Sequence, residues 1–301
     1  MPAIVTHHLF ADEIKNNLNL KVNDNYYIFA QSHDYLYFSL SKKNRILAHT
    51  AHIKNTQDYF LYMIKFIKDN NLKDNIDLIS YLYGSLTHYI LDSTLHPYIF
   101  YKTGLDSTNH RIVEKNIDKL LYEIKTKKDF KKLNIPKEII VNNLFTEELN
   151  KCINYSYKKT YNVDNMSKRF TKSIKQARLL FKLTSYDKNG KKIKLFNLVD
   201  KLFKTNLSIL STQIQGNKEY LNEDHNEWNH PCFKDKIHNY SLIELYNQSL
   251  FKIEILIKYV NKYLNDELDI EDLKNYIPNI SYTTGLKIED NIKMKYFENK
   301  M

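Results

Sequence analysis

Histidine and carboxylate residues recur at helical spacing within the first 114 residues of this 301-residue chain. His88 and Asp92 lie four residues apart in an apolar stretch without turn-formers, so a helix would place both side chains on one face. His110 and Glu114 repeat that spacing on the next predicted helix. Imidazole nitrogen and carboxylate oxygen are the usual ligands of catalytic zinc, which keeps one coordination position open for water. The pattern therefore predicts a metal-dependent hydrolase.

The candidate ligands outnumber those that a single zinc ion uses. His96 lies between the two pairs, which brings the candidates in this region to five. A mononuclear catalytic zinc takes three protein ligands, so two or three metal ions are expected. Metal ions about 4 Å apart need a carboxylate between them and suit the hydrolysis of phosphoesters. We expect Asp92, which has a histidine on each side, to be that bridge.

Long helices are expected to position these residues, because Gly and Pro number only five each and a many-stranded fold needs more turns. We predict an all-α fold, a single multi-helix domain over residues 1–301, with the ligands concentrated in residues 7–114. Hydrophobic periodicity predicts helices at Ile4–Leu18, Asn25–Ser32, Arg45–Asn70, Ile76–Leu95, Asn109–Lys125, Pro136–Lys158, Met166–Leu183, Phe196–Ser211 and Leu242–Leu264. Pro97 is expected to end the fourth helix, which leaves His96 at or past its terminus. A tight turn is predicted at Asp187–Lys191.

Charge and cysteine content limit the class of protein. The net charge of +10 is compatible with a surface that attracts nucleic acid or an anionic membrane. The lysines occur in many segments, so a solvated Lys-rich surface is the simpler interpretation. Cys152 and Cys232 lie far apart without metal-site spacing, which argues against a disulfide framework. No leader or membrane span stands out, so a reduced, cytoplasmic protein is expected.

These residues resemble the zinc-dependent phospholipase C family, which includes bacterial phosphatidylcholine-preferring phospholipases C and the catalytic domain of clostridial alpha-toxin. The start of the chain is most similar to leaderless intracellular members. The segments that resemble the family are Met1–Phe10, Gly84–Pro97 with His110 and Glu114, Trp228–Pro231 and Ser281–Gly285. The likeness spans nearly the whole chain, and it implies the all-helical architecture that the family shares with fungal single-strand nucleases.

The resemblance also implies three zinc subsites. The first would consist of Asp34, His52, His88 and Asp92, the second of His96, His110 and Glu114, and the third of His7 with a shared oxygen of Asp92. Asp34 would be both a ligand and a candidate general base, and would help to position a zinc-bound hydroxide for attack on phosphorus.

Several assignments remain open at this point. The family pattern favours His52 over His49, and His7 over His8. His33 is expected to be at most an orienting hydrogen-bond donor, and His225, His230 and His238 are interpreted as structural or rim residues. The secreted members complete the third subsite with an N-terminal Trp, which this chain lacks. We expect either that Met1 is removed and the Pro2 amine approaches the third ion, or that this ion binds weakly.

Three hypotheses for function follow from the resemblance and the ligands. The leading one is a zinc-dependent phosphodiester hydrolase that cleaves a phospholipid head group in the manner of phospholipase C, with peripheral membrane contact through basic and aromatic residues. The second is a phosphoesterase or nuclease, which the charge favours, although no basic and aromatic stripe for stacking bases is visible. The third is a non-catalytic helical protein stabilised by zinc, against which the surplus of ligands argues. The sequence predicts neither the head group nor the oligomeric state.

Overall fold

The computed structural model describes residues 3–140, 145–185, 187, 189–214 and 216–298, and helices dominate them. The α-helices are α1 (Ile4–Asn17), α2 (Asn25–Phe29), α3 (Lys42–Ile53), α4 (Thr56–Asp69), α5 (Ile76–Thr103), α6 (Ser107–Thr126), α7 (Ile135–Glu138), α8 (Glu147–Tyr161), α9 (Met166–Thr184), α10 (Lys191–Phe203), α11 (Leu242–Leu264) and α12 (Ile270–Tyr276). Short 3-10 helices lie at Ser32–Phe38, Phe130–Lys132, Ser208–Leu210, Lys218–Leu221 and Ile288–Asp290. Two antiparallel strands, β1 (Trp228–Asn229) and β2 (Ile237–His238), pair with each other. The predicted all-α fold is confirmed.

The longest helix, α5, is buried over most of its 28 residues. Asn75 caps its start, because the Asn75 side chain accepts two backbone N–H groups of the first turn. Gly84 lets α2 approach closely, since a Cβ at this position would lie only 2.4 Å from the Tyr26 carbonyl oxygen. The 3-10 helix Ser32–Phe38 follows α2 directly, so this close packing places that helix beside α5.

Pro97 does not end α5, so the prediction of a helix terminus before it is wrong. The helix continues to Thr103, although a proline lacks the N–H that would bond to the carbonyl of the residue four positions earlier, here Ser93. The turn at Gly285 packs on that carbonyl, where a Cβ of residue 285 would lie 2.4 Å from the oxygen. As a result His96 lies inside the helix.

The predicted helix Arg45–Asn70 is also wrong, because the chain forms two helices there. The break lies at Lys54 and Asn55, and Asn55 adopts a left-handed conformation with φ 51°. Asparagine tolerates this conformation better than most residues. His52 therefore lies in the last turn of α3 instead of in the interior of a long helix.

Other predicted bounds differ in their details. The helix predicted at Asn25–Ser32 ends early, at Phe29. Residues 145 and 146 are not helical, so Pro136–Lys158 is not one helix; the neighbouring residues 141–144 lie outside the described part of the chain. The helix predicted at Phe196–Ser211 begins five residues earlier and ends at Phe203. At the predicted tight turn, the Gly190 N–H donates to the Asp187 carbonyl at 3.2 Å, while residue 188 lies outside the described residues.

Helices with clear local signals have the predicted bounds. α11 begins and ends as expected, and Ser241 and Glu244 form a capping box at its start. The bounds of α9 agree to within one residue.

One hydrophobic cluster extends from Ile4 to Tyr282, and the assignment of residues 1–301 to a single domain stays a prediction. In the described part of the chain, no helix combines the length and apolarity that a membrane crossing requires.

Candidate metal centre

The centre of the candidate site is one face of α5. His88, Asp92 and His96 follow each other at intervals of four residues, so their side chains line up along the helix. All three are buried. The Asp92 Oδ2 atom lies 3.5 Å from His88 Nε2 and 3.7 Å from His96 Nδ1. The continuation of α5 through Pro97 is therefore what keeps His96 in this row.

Two further elements bring predicted ligands close to Asp92 from other directions. His7, on α1, has its Nε2 3.0 Å from Asp92 Oδ1. His52, in the last turn of α3, has its Nε2 3.1 Å from Asp34 Oδ1 and 3.6 Å from Asp92 Oδ2. One oxygen of Asp92 thus faces α1, and the other faces histidines of α3 and α5. A carboxylate that bridges two metal ions must direct its two oxygens towards different groups of ligands in this way.

α6 supplies the other predicted pair. Asp106 caps this helix by accepting two backbone N–H groups of its first turn. His110 Nε2 lies 3.2 Å from Glu114 Oε1, and His96 Nε2 lies 3.5 Å from the same oxygen. His96 therefore stands between the two parts of the site, with one nitrogen near Asp92 and the other near Glu114.

The donor atoms fit divalent cations. Three overlapping groups have donor atoms within 4.8 Å of one another: His33, Asp34, His52 and His88; His7, Asp34, His88 and Asp92; and His96, His110 and Glu114. Among the described residues neither ring nitrogen of His88 has a hydrogen-bond partner, although both are buried. Buried polar atoms rarely remain without a partner, because their desolvation is unfavourable. A mixed nitrogen and oxygen donor set of this kind suits zinc.

Backbone carbonyls orient two of the imidazoles. His52 Nδ1 bonds to the Ala48 carbonyl at 2.7 Å, and His96 Nδ1 bonds to the Tyr282 carbonyl at 2.9 Å. When Nδ1 is the donor, the lone pair of Nε2 is free to bind a metal. The Tyr282 N–H in turn donates to the His52 carbonyl at 2.9 Å. Tyr282 thus fixes residues of both parts of the site, a role that its sequence pattern did not indicate.

The electrostatics of the site favour anionic carboxylates, and the pKa values of the histidines shift in different directions. Burial lowers the pKa of His88 to about 4, although Asp92 and Asp34 act in the opposite direction. Burial also disfavours charged His96, but the Asp92 and Glu114 carboxylates outweigh it and raise the pKa of His96 to about 9. Burial likewise opposes ionisation of Asp92, yet the surrounding histidines hold its pKa well below the usual range. Asp92 is therefore an anion at neutral pH.

The comparison with known families agrees with this geometry. The model of the zinc dependent phospholipase C family matches residues 6–166, more than half of the chain. The chain belongs to this family. No curated protein and no solved structure matches it. The matched range includes all eight predicted ligands, whereas Tyr282, α10 and α11 lie outside it.

Not every histidine of this family member belongs to the three donor groups. His49 is exposed, one turn before His52 on α3, and belongs to none of the three donor groups. His8 packs on the Tyr27 ring with 4.7 Å between ring centroids, outside these groups. His230 bonds to the Thr284 carbonyl at 3.0 Å. Residues 1 and 2, for which an approach of the Pro2 amine to a third ion was expected, lie outside the described residues.

His33 is closer to the centre than expected. Its ring centroid lies 4.3 Å from that of His52 and 5.0 Å from that of His88. Its Nε2 is buried and has no hydrogen-bond partner among the described residues. The sequence indicated only a position beside Asp34, because the 3-10 geometry that turns both side chains inward has no clear sequence pattern.

Asp118 of α6 positions the first turn of α1, and thereby His7. Ala3, at the start of α1, has no side chain that could cap the helix. Asp118 Oδ1 instead accepts the Thr6 N–H at 2.8 Å and the Thr6 hydroxyl at 2.9 Å. Burial raises the pKa of Asp118 to about 6, although the nearby Lys115 ammonium acts against it. The sequence did not reveal this contact, because it joins two helices far apart in the chain.

The site opens to a cleft of about 570 Å³. Predicted ligands from both parts of the site line it, and its other walls are Tyr37, His49, Phe100, Leu105, Asp106, Ser107, Arg111, Thr283 and Met294. Arg111 brings a permanent positive charge, and three of these side chains are large and apolar. A molecule that joins a phosphate to an apolar group matches such walls.

Proposed function

We propose that this protein hydrolyses phosphodiester bonds with the aid of two to three zinc ions, and that its substrate is a phospholipid cleaved on the head-group side. The proposal rests mainly on one observation. Two groups of histidines and carboxylates, nearly all of them buried, include residues of α5 and open to the same cleft. A purely structural zinc site is closed and needs no cleft.

The residues that would hold the ions are the eight predicted ligands, with His33 as an added candidate. Asp34, His52, His88, Asp92 and His7 would hold one part, and His96, His110 and Glu114 the other. Zinc in these positions supplies Lewis-acid chemistry, which polarises a phosphoryl oxygen and raises the acidity of water. Asp92, with its oxygens directed to different helices, would hold the parts together.

The protein's own groups contribute proton transfer and charge. Asp34 lines the cleft and lies 3.1 Å from His52 Nε2, so its carboxylate can accept a proton from an attacking water molecule. Arg111 lines the same cleft and can pair with phosphate oxygens. The Arg111 Nε–H donates to the Ser107 carbonyl at 3.1 Å, which limits the movement of the guanidinium group.

The apolar wall favours a lipid over a nucleic acid. Phe100, Leu105 and Met294 line the cleft together with Arg111, and their apolar side chains match the glycerol and the first acyl carbons of a phospholipid. A nucleic acid would instead require aromatic rings set along a basic groove.

Release of phosphocholine from a water-soluble, short-chain phosphatidylcholine tests the proposal. We expect turnover that a chelator abolishes and zinc restores. Asp34→Asn should lower kcat by about 100-fold or more. Asp74→Asn changes an exposed carboxylate in the loop between α4 and α5 and should leave kcat unchanged. Turnover that survives both chelation and Asp34→Asn would refute the proposal. Cleavage of single-stranded nucleic acid without lipid turnover would assign the site to the second hypothesis.

A further inference from the structure

The positive charge of the chain is concentrated in one segment. Residues 166–204 contain twelve Lys and Arg but only two Asp, a net charge of +10. The whole chain also has a net charge of +10, so the rest of it is neutral in sum. The excess of positive over negative charge therefore lies in this one segment, although lysines occur along the whole chain. The segment comprises α9 and α10.

α10 has an apolar side that the protein does not cover. None of its 13 residues is buried, although seven are apolar. Leu195, Leu198, Leu202 and Phe203 are between 55% and 71% exposed. The three leucines have the spacing of a single helical stripe. In a globular protein such a stripe normally faces the core, and an exposed one marks an interaction surface.

Lysines border this stripe. Lys194 and Lys201 are exposed and lie one turn or less from the leucines on the outer side of α10. The acidic residue of α10, Asp200, accepts hydrogen bonds from Leu207 N–H and Ser208 N–H at 2.7 and 2.9 Å. Its charge is thus directed to the following loop. An exposed apolar stripe with basic borders is typical of helices that lie in the interface of a membrane.

The basic surface continues onto α9. Lys192 Nζ donates to the Lys182 carbonyl at 3.1 Å, which joins the start of α10 to the end of α9. Beside this contact lies a groove of about 450 Å³, and no acidic residue is among its described walls, which are Asn134, Pro136, Lys137, Lys175, Arg178, Leu179 and Lys182. Basic residues of α9 therefore extend the positive surface of α10.

The same surface reaches the rim of the cleft. The side-chain amide of Asn206, three residues after α10, is hydrogen bonded to the Thr108 hydroxyl over 3.2 Å. Thr108 follows Ser107, which lines the cleft. A membrane in contact with α10 would therefore lie next to the opening of the metal centre.

We propose that α10 and the basic side of α9 form a docking surface for an anionic lipid bilayer. Leu195, Leu198 and Leu202 would enter the head-group region, and the bordering lysines would pair with anionic phosphates. A nucleic acid would engage the lysines but leave the leucines in water, so the exposed stripe favours the bilayer. The inference goes beyond the proposed hydrolysis and concerns a different surface.

Co-sedimentation of the zinc-loaded protein with vesicles tests the docking surface. We expect binding to vesicles that contain phosphatidylglycerol and weak binding to pure phosphatidylcholine. Lys194→Gln/Lys201→Gln should weaken binding by about 30-fold, because each lysine near an anionic surface contributes roughly fivefold. Leu198→Ser/Leu202→Ser should weaken it by about tenfold or more. All four side chains are exposed, so the fold is expected to tolerate these changes.

Matched controls come from other helices. Phe251 of α11 is 65% exposed, so Phe251→Ser removes a comparable apolar side chain elsewhere. Lys65→Gln/Lys258→Gln removes two exposed lysines of α4 and α11. Both control variants should bind vesicles like the wild type. Equal losses in the control and the α10 variants, or no binding to anionic vesicles, would overturn the proposal.

A fluorescent label distinguishes insertion from electrostatic attraction. Cys152 and Cys232 are buried, and burial raises the pKa of their thiols to about 12 and about 11, so a thiol-reactive dye should label Leu198→Cys selectively. We expect the emission of a polarity-sensitive dye at residue 198 to shift to the blue on anionic vesicles, and a dye at Phe251→Cys to remain unshifted. An unshifted dye at residue 198 would contradict insertion.

Two further comparisons separate docking from catalysis and from nucleic-acid binding. Asp34→Asn should still bind anionic vesicles, so a failure of the proposed hydrolysis and a failure of docking are distinguishable. The α10 variants should hydrolyse a soluble short-chain substrate like the wild type but lose activity on vesicles. Lysine-dependent binding of single-stranded DNA, without any vesicle binding, would assign the surface to nucleic acid and overturn the proposal.

Discussion

Gly285→Ala is predicted to disturb one part of the metal centre from a position that contacts no metal. Gly285 has φ +64°, and a Cβ there would lie 2.4 Å from the Ser93 carbonyl oxygen of α5. The turn that it closes contains Tyr282, whose carbonyl accepts the hydrogen bond from His96 Nδ1. Displacement of this turn should therefore release the His96 imidazole.

The expected loss of stability follows from a comparison of Gly285 with Gly190. Gly190 has a similar φ of +67°, but nothing lies within 4 Å of its added Cβ. Gly190→Ala should thus destabilise the protein only through its left-handed backbone, by about 1 kcal/mol. Gly285→Ala adds overlap with a backbone oxygen, so the total should reach about 2–4 kcal/mol. Loss of the orienting bond should also weaken zinc at His96 by about 10- to 100-fold.

Denaturant unfolding with and without zinc measures both effects. Gly285→Ala should lower the free energy of unfolding more in zinc-loaded protein than in zinc-free protein, by about 1–3 kcal/mol, because weaker zinc binding stabilises the folded state less. Metal analysis should show a partial loss of zinc, since the Tyr282 carbonyl orients the imidazole of His96, whereas the Tyr282 N–H contacts only the backbone of His52. The reasoning is refuted if Gly285→Ala behaves like Gly190→Ala, or if all zinc is lost together.

Three other measurements probe the centre. Asp92→Asn should lower the zinc content more than Glu114→Gln, because the oxygens of Asp92 face histidines of three helices; equal losses on metal analysis would contradict its bridging role. Chelation should lower the free energy of unfolding by about 4 kcal/mol, relative to protein with free zinc at a thousand times the Kd. A thermal midpoint that does not change with the zinc concentration would argue against zinc binding. Asp118→Asn should become more stable relative to the wild type as the pH rises from about 4 to about 6. Burial raises the pKa of Asp118 from its ordinary 3.8 to about 6, so only the wild type must ionise a buried carboxyl over that range, at about 3 kcal/mol. Parallel pH profiles from urea unfolding of the two proteins would contradict this.

The fold was predictable where the signals are local. Ser241 and Glu244 lie side by side with the apolar stripe that they introduce, so the start of α11 could be predicted from adjacent residues. Pro97 is also a local signal, but its outcome depends on Gly285, which packs on α5 from far along the chain. The hydrophobic periodicity continues through Asn55 without interruption. It therefore does not reveal that Asn55 adopts a left-handed conformation, which separates two helices.

The candidate metal centre shows the same difference between features that local sequence signals reveal and features that depend on distant contacts. Spacings of four residues on α5 and α6 are visible in the sequence, and the structure brings those side chains together. The residues that orient them are not visible, because their roles depend on contacts between distant segments. Tyr282 orients His96 through a backbone carbonyl, which any residue type could supply. Asp118 of α6 caps the start of α1, because its carboxylate accepts hydrogen bonds from the N–H and the hydroxyl of Thr6.

The match to the family ends at residue 166, where α9 begins, and the two proposed activities fall on different sides of this boundary. All eight predicted ligands precede it, so the proposed hydrolysis depends on the part that matches the family model. The excess positive charge and the exposed leucines of α10 follow it. Docking and hydrolysis should therefore respond independently to substitution: changes in α10 should alter which lipid surfaces are reached without altering turnover of a soluble phosphodiester.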